Sequence, residues 1–363
     1  MVNVFLIETP FQLLNAIEAK NYFELANNHL VIRLGVGLTR EAFEPLIKQG
    51  DWDRVQYVTL EYENLEFESR LLGKKLSDRV RGYRYEYQQY ANRRKLDAIM
   101  NSFGRVKNIF LGNYLKDWKQ YMRHFANNLR YESLYLLDDG TDIIQVNNER
   151  KNAPLAKYNT KRPGSWFSRI KAMYHETIID WNDKDAERVT FFTAYDLEVR
   201  DGDLLIRNEY RYLRKIAANT VPSDEILFLG QCLVEDRYMK DEFYLDYLRR
   251  IKEYFAGEKL VYVPHPRESS EIIDKIKKSL KLEIKRIHVP IEYEISIRGN
   301  APKVLASFFC SALENCRVIL GQHIKIKAFY LAPEHLLRLH ANVRNIYEYF
   351  ENNADADFEI VKL

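Results

Sequence analysis

Glycine is scarce in this 363-residue chain: 14 residues, about 4%, where roughly 7% is usual. The shortage bears on nucleotide binding, because the familiar phosphate-cradling loops are built from clustered glycines. The nearest approach, Gly35-Val36-Gly37-Leu38-Thr39-Arg40, has Arg where a dinucleotide fingerprint needs its third Gly or Ala, and no G-x-x-x-x-G-K-[ST] run occurs. Both a Rossmann dehydrogenase and a P-loop NTPase are therefore disfavoured. Cysteine is rare too. Cys232, Cys310 and Cys316 are an odd set without CxxC spacing, which speaks against a disulfide framework and a structural zinc site and fits a reducing compartment. Charge of one sign is lacking: 55 Lys+Arg against 52 Asp+Glu leave +3, no basic footprint for nucleic acid. The start, Met1 to Glu8, has no basic n-region, and no uncharged apolar run approaches the roughly 18–20 residues of a membrane span. The expectation is a cytoplasmic protein without nucleic-acid partners.

Aromatic residues are abundant, with 25 Tyr and 19 Phe, and 46% of residues are apolar, ample for a core. The length suggests about two domains. Val4-Phe5-Leu6-Ile7 reads as a strand, followed by Thr9 as N-cap and Pro10 in the first helical turn. Strands then alternate with helices: Leu30 to Leu34, Val55 to Val58, Ile109 to Leu111 and Leu134 to Leu137. Residues 65–101 read as a long polar helix broken at Gly73 and Gly82, and 142–187 as a connecting region. A second series follows, with strands at Glu225 to Leu229, Leu260 to Val263, 282–287, Val304 to Ala306 and Arg317 to Leu320. Helices are expected across 238–255, 270–280, after Pro290 and near 343–351. Such alternation implies parallel α/β sheets. The domains expected are 1–187, an α/β lobe with the connecting region; 188–340, a second α/β lobe; and 341–363, a helical tail. Ligands of open α/β sheets bind beyond the carboxyl ends of strands, so strand-end loops carry the candidates.

Four loops stand out. Leu136-Leu137-Asp138-Asp139-Gly140 discharges an apolar strand into adjacent carboxylates, and alternation points Asp138 and Asp139 in different directions. Either is a candidate base; the competing reading is a polar turn. Val263-Pro264-His265-Pro266-Arg267 presents His265 stiffly between two prolines, with Arg267 nearby to neutralise charge, against a plain structural loop. An imidazolium there is a candidate donor to a phosphate leaving group. Ser307-Phe308-Phe309-Cys310-Ser311 brings hydroxyls to a helix N-terminus, an anion site without glycine, or merely an N-cap. Glu235 and Asp236 close the loop after the second series' first strand. The DxD Asp183-Lys184-Asp185 follows no apolar strand and reads as solvated surface rather than a metal site. Tyr114 and Trp118 are candidate sugar platforms or core residues.

The acidic pair with Gly140, the His265-Pro266 dipeptide and the serine motif, in this order, resemble the signature set of bacterial sialyltransferases. Thr9-Pro10-Phe11-Gln12-Leu13-Leu14 and Phe308-Phe309-Cys310-Ser311-Ala312-Leu313 resemble lipooligosaccharide sialyltransferases of glycosyltransferase family 52, and polysialyltransferases more distantly. The resemblance implies a GT-B-type fold of two Rossmann-like lobes with parallel sheets and a cleft between them. It implies inverting, metal-independent transfer of sialic acid from CMP-sialic acid, a donor substrate rather than a cofactor, to a galactoside-terminated glycan of lipooligosaccharide or capsule. By that carry-over His265, with Pro266 and Arg267, meets the CMP phosphate; Ser307 and Ser311 hold it; and Glu292 binds the cytidine ribose. The base is Asp138, Asp139, Glu235 or Asp236, and Cys310 stands where the family often has Ser. The chemistry is compatible: sialic acid's tertiary anomeric carbon calls for an oxocarbenium-like transition state, a base and a stabilised leaving phosphate, with no obligatory metal. The rival readings are transfer of another CMP-activated nonulosonic acid, a catalytically silent nucleotide- or glycan-binding protein, and a phosphohydrolase. The Arg- and Tyr-rich segment 65–101 is open to three readings: a solvated helix, a homodimer face, or a peripheral contact with an anionic glycolipid or the inner membrane.

Overall fold

A computed structural model describes residues 1–35, 38–60, 76–115, 120–152, 181–338 and 340–363, with the side chains of 76–85, 322, 340 and 341 outside the description. The chain forms two compact units, one of residues 1–193 and 197–206, the other of 194–196 and 207–363.

The first unit's sheet holds β1 (Val2–Ile7), β2 (Asn28–Leu34), β3 (Arg54–Thr59), β4 (Val106–Leu111), β5 (Ser133–Leu137), β6 (Thr190–Thr193) and β7 (Leu204–Arg207), in the order β3-β2-β1-β4-β5-β6-β7. Strand pairing from β3 through β6 is parallel. Its helices are α1 (Pro10–Tyr22), α2 (Glu44–Gly50), α3 (Leu76–Met100), α4 (Gln120–Asn127) and α5 (Asp142–Asn152). Thr9 caps α1 as its sequence implies, its hydroxyl accepting the Gln12 N–H at 3.1 Å. The aromatic surplus fills the core. Phe5, Phe110 and Tyr135 sit in register on neighbouring strands and stack face to face, with centroids 4.3 and 4.6 Å apart.

In the second unit, α6 (Arg211–Ala217) and β8 (Val221–Pro222) precede β9 (Glu225–Leu229). Then follow α7 (Asp241–Tyr254), β10 (Lys259–Val263), α8 (Ser270–Leu280), β11 (Glu283–Ile284), α9 (Ile291–Arg298), β12 (Asn300–Ala301), β13 (Val304–Ser307), α10 (Ala312–Leu320), β14 (Lys325–Phe329), α11 (His340–Asn352) and β15 (Phe358–Val361). The main sheet runs β11-β10-β9-β13-β14-β15, wholly parallel, and β8 pairs with β12 beside it. Both units thus have the doubly wound order in which the first strand lies mid-sheet and winding reverses beside it, between β1 and β4 and between β9 and β13. The crevice at the carboxyl ends of such a reversal is where ligands of this fold class bind. The expected α/β class with two Rossmann-like parallel sheets is what the chain adopts.

Several boundaries differ from the sequence reading. The first unit extends past 187, because β6 pairs with β5 and β7 adds the next strand. Residues 341–363 are no separate tail: β15 pairs along β14 and Phe350 and Phe358 are fully buried. Arg317 to Leu320 is not a strand but the last turn of α10; the strand is β14, whose apolar side chains are diluted by Lys325 and Lys327. Only Glu283–Ile284 pairs in the expected strand at 282–287. Within 65–101, α3 runs unbroken through Gly82, while Gly73 and the side chains of Arg79 to Tyr85 lie outside the described residues. Tyr87 and Tyr90 on the described part are exposed. Among the described residues no helix is long and apolar enough to cross a membrane.

Candidate active site

The second unit's switch point gathers most of the candidates. β10 ends in Val263, and the following loop closes on itself: the His265 N–H donates to Glu268 Oε2 at 2.5 Å and the Glu268 N–H returns to the His265 carbonyl at 3.0 Å. Pro264 and Pro266 have no N–H of their own to satisfy, so this tight turn leaves few polar groups stranded. Ser269 then caps α8, accepting the Ile272 N–H. His265 Nδ1 accepts the Arg267 backbone N–H at 3.2 Å and lies 3.0 Å from Cys232 Sγ. A backbone N–H can only donate, so Nδ1 is the acceptor and the neutral ring carries its proton on Nε2. Burial, seconded by the Arg267 charge, pushes the His265 pKa down to about 4. Cys232 is held as the thiol, burial pushing it up to about 12. His265 therefore stands at neutral pH as a fixed hydrogen-bond donor through Nε2, not as the imidazolium expected from sequence.

Beneath it lies a buried network. Tyr262 Oη donates to Glu268 Oε1 at 2.5 Å, the Tyr244 and Tyr262 hydroxyls are 2.8 Å apart, and the Gln231 N–H donates to Tyr244 Oη at 3.2 Å. Burial, the first cause, lifts the Glu268 carboxyl to about 7. A Cβ at Gly230 would overlap both Glu268 Oε2 and Tyr262 Oη, so only glycine admits the carboxylate there.

The remaining second-unit candidates divide. Arg267 is exposed and paired with Asp236 through two contacts of 3.0 and 2.9 Å. Exposed Pro266 shapes the turn rather than offering a polar group. Glu235 Oε1 accepts the Ser269 N–H at 2.8 Å, an added cap for α8, while its buried Oε2 has no hydrogen-bond partner among the described residues. Ser307 differs from its expected role as a phosphate ligand. It is fully buried, and its hydroxyl donates to the Leu229 carbonyl at 2.7 Å, tying β13 to β9. Ser311, half-buried at the N-cap of α10, makes no side-chain cap bond and is the hydroxyl that remains presented there. Glu292 is buried in the first turn of α9, accepts from Asn315 Nδ2 at 2.8 Å and is raised in pKa by burial.

The first unit holds the acidic pair. Asp138 is fully buried, and its carbonyl takes Asn15 Nδ2 at 3.1 Å; Asp139 is half-buried and accepts from Asn113 Nδ2 at 2.6 Å. The alternation read from sequence is observed, with Asp139 the member nearer solvent. Asn113 also donates to Asp142 Oδ2 and orders its own loop by accepting the Leu115 N–H. Gln12, from the Thr9-Pro10-Phe11-Gln12 motif, accepts the Glu8 N–H, and its side chain fills the space a Cβ at Gly112 would need. Tyr114 is core: wholly buried, its hydroxyl accepts the Ala186 N–H. Trp118 lies outside the described residues. Asp185 is not simply solvated. It pairs with Arg150, Arg123 and Arg200, and buried Arg150 also pairs with buried Asp203 at 2.8 Å, so its carboxylate is committed to guanidinium groups.

Sequence reasoning missed Glu268, Tyr262, Tyr244 and Gln231. Glu268 reads as a loop acid before a capping serine, and the tyrosines as ordinary core; only the coincidence of Gly230 with a strand end hints at a close approach.

Residues 184–326 match the family model for alpha-2,8-polysialyltransferase (POLYST). The match covers the second unit's switch-point loops, His265, Ser307 and Ser311 included, and supports a sialyltransferase. None of the curated proteins compared with the chain matches it. Among solved structures, the chain is similar to a putative UDP-N-acetylglucosamine 2-epimerase from Listeria monocytogenes, with TM-score 0.49 and 8% identity over 97% of this chain and 88% of that one. It is similar to S. aureus MnaA in its UDP co-structure, at TM-score 0.48, 9% identity and the same coverages. A family 9 glycosyl transferase from Veillonella parvula aligns at TM-score 0.38 and 8% identity over 99% and 87%.

Proposed function

We propose that the chain is a GT-B-type, inverting, metal-independent sialyltransferase that uses CMP-sialic acid and a terminal galactoside of a surface glycan. The observation that carries this reading is the neutral, rigidly held His265, offering Nε2–H at the second sheet's switch point within the matched region. In the proposed reaction the bond from the sialic acid anomeric carbon to the CMP phosphate oxygen breaks, and its electron pair leaves with the phosphate. His265 Nε2–H hydrogen-bonds that oxygen as charge develops, where a preorganised donor is most effective. Ser311 and the first N–H groups of α10 favour the same anion. Glu292 takes the ribose hydroxyls. The acceptor hydroxyl oxygen bonds to the anomeric carbon, and its proton passes to Glu235, whose Oε2 has no other partner among the described residues.

The test is incubation with CMP-sialic acid and lactose, with and without EDTA. Transfer that survives EDTA is expected, with His265→Ala lowering kcat at least about 100-fold. Near-normal activity in that variant sinks the His265 assignment, and transfer abolished by EDTA sinks the metal-independent mechanism. CMP binding without turnover supports the silent rival instead, and phosphate release from simple esters the hydrolase. Glu235→Gln should lower kcat with little change in the donor KM. Should Asp139→Asn do so and Glu235→Gln not, the base is in the acidic pair. The family match favours a second reading of the acceptor, a sialoside extended through an alpha-2,8 linkage, which sialyllactose in place of lactose would detect.

A further inference from the structure

We propose that Glu268 is a positioning residue: as a carboxylate it collects a chain of hydrogen bonds that binds the three switch-point loops together and fixes the direction of His265. The proposal deepens the reading of His265 as the donor to the leaving phosphate. The chain can be followed atom by atom. The Phe309 N–H, beyond β13, donates to Gln231 Oε1 at 3.2 Å. The Gln231 N–H, beyond β9, donates to Tyr244 Oη. Tyr244 and Tyr262 share a proton contact, and Tyr262 Oη donates to Glu268 Oε1. From the other side the His265 N–H, beyond β10, donates to Glu268 Oε2. Three strand ends are thus tied by one path, buried at its centre, that ends on one side chain.

The proton directions suit the ionised form. The Tyr244 oxygen already receives the Gln231 N–H, so its own proton points to Tyr262 Oη or to Glu268 Oε1, 3.3 Å away. The Tyr262 proton then points to Glu268. All donors converge on the carboxylate, which accepts without donating. A proton on Oε1 would turn the Tyr262 bond round, so that Oε1 keeps the Tyr244 hydroxyl at 3.3 Å as its donor in place of Tyr262 at 2.5 Å. The groups facing Glu268 are Tyr262 from β10, Tyr244 from α7, and Glu235 and Cys232 from the loop beyond β9; Arg267, next in sequence, is turned to Asp236. Burial and the Glu235 charge hold the carboxyl up to about 7. The network consequently converges on Glu268 above neutrality and is rearranged below it.

The test follows kcat of transfer against pH, beside nitrogen NMR of the protein labelled at its histidines. Glu268→Gln, locked in a neutral state, should lower kcat at pH 8 about 10- to 100-fold, change the donor KM little and lose the acidic limb near pH 7. Tyr262→Phe, which removes a donor to the carboxylate and leaves the core filled, should move that limb to higher pH. In the NMR arm, which needs no turnover, Glu268→Gln should broaden or shift the His265 Nδ1 and Nε2 signals. Unchanged His265 signals overturn the proposal, whether or not the protein is a sialyltransferase. An unmoved acidic limb in both variants also overturns it. Shifted signals in a protein that transfers nothing leave the positioning role standing and reject the sialyltransferase reading alone.

Discussion

His265 and Glu268 lie three residues apart and titrate in opposite senses. The His265 pKa falls to about 4 from an ordinary 6.5, so between those pH values the unfolded chain binds a proton that the folded one does not. Stability from this residue is present above 6.5 and is lost as pH falls toward 4. The Glu268 pKa rises to about 7 from 4.5, so the folded chain holds a proton that the unfolded chain has released. Its relative stability is present below 4.5 and is lost as pH rises through 7. The two contributions offset each other across the acidic range. Removing one exposes the other: Glu268→Gln should steepen the rise in melting temperature from pH 5 to pH 7, and His265→Ala should flatten it. Parallel melting profiles for wild type and both variants would show that neither group titrates as described. The stiff His265 was legible from its two prolines, whereas its neutral state follows from burial, which only the folded chain supplies.

At the scale of elements, strand ends account for two of the few glycines. Gly112 follows β4 and Gly230 follows β9, each against a side chain from elsewhere in its own unit: Gln12 for the first, Glu268 and Tyr262 for the second. Gly230→Ala should destabilise the protein by about 1–3 kcal/mol in urea unfolding, because a methyl group overpacks a buried network whose atoms are all engaged. Gly104→Ala, with nothing near the new methyl, should stay within about 0.5 kcal/mol. Equal effects at the two sites would refute the packing account. Helices were read most securely where caps and amphipathic spacing agree, as in α8, whose bounds 270–280 match the sequence reading. The failure at Arg317 to Leu320 has a physical cause: a short apolar run fits a buried strand or the inner face of a helix, and periodicity alone does not separate them.

For the whole molecule, two units of the same winding order each bring a switch point to the carboxyl ends of their strands. The second sheet is completed only by the last residues of the chain. Phe358 of β15 packs edge-on against Phe350 of α11, both fully buried. Phe358→Ala should cost about 3–5 kcal/mol, read as a lowered urea midpoint with an unchanged slope. A near-neutral effect would return 341–363 to the status of a tail. Residues 181–193 and 197–206 join the first unit for a reason sequence does not display. Asp185, Arg150 and Asp203 lie far apart in the chain, and the buried Arg150 is tolerable only when folding brings both carboxylates to it.

By itself the sequence determined the fold class and the loops that matter. Alternating apolar strands and capped helices leave few other ways to bury their faces, and His265, Ser311 and the acidic pair all follow strand ends. Tertiary structure alone decided which member of each set is presented and in what state. Ser307 became a buried tie between strands, Asp138 went inside, and Glu268 emerged as the residue on which three loops converge. Burial, close approach and hydrogen-bond direction depend on neighbours distant in the chain, and only folding brings those neighbours together.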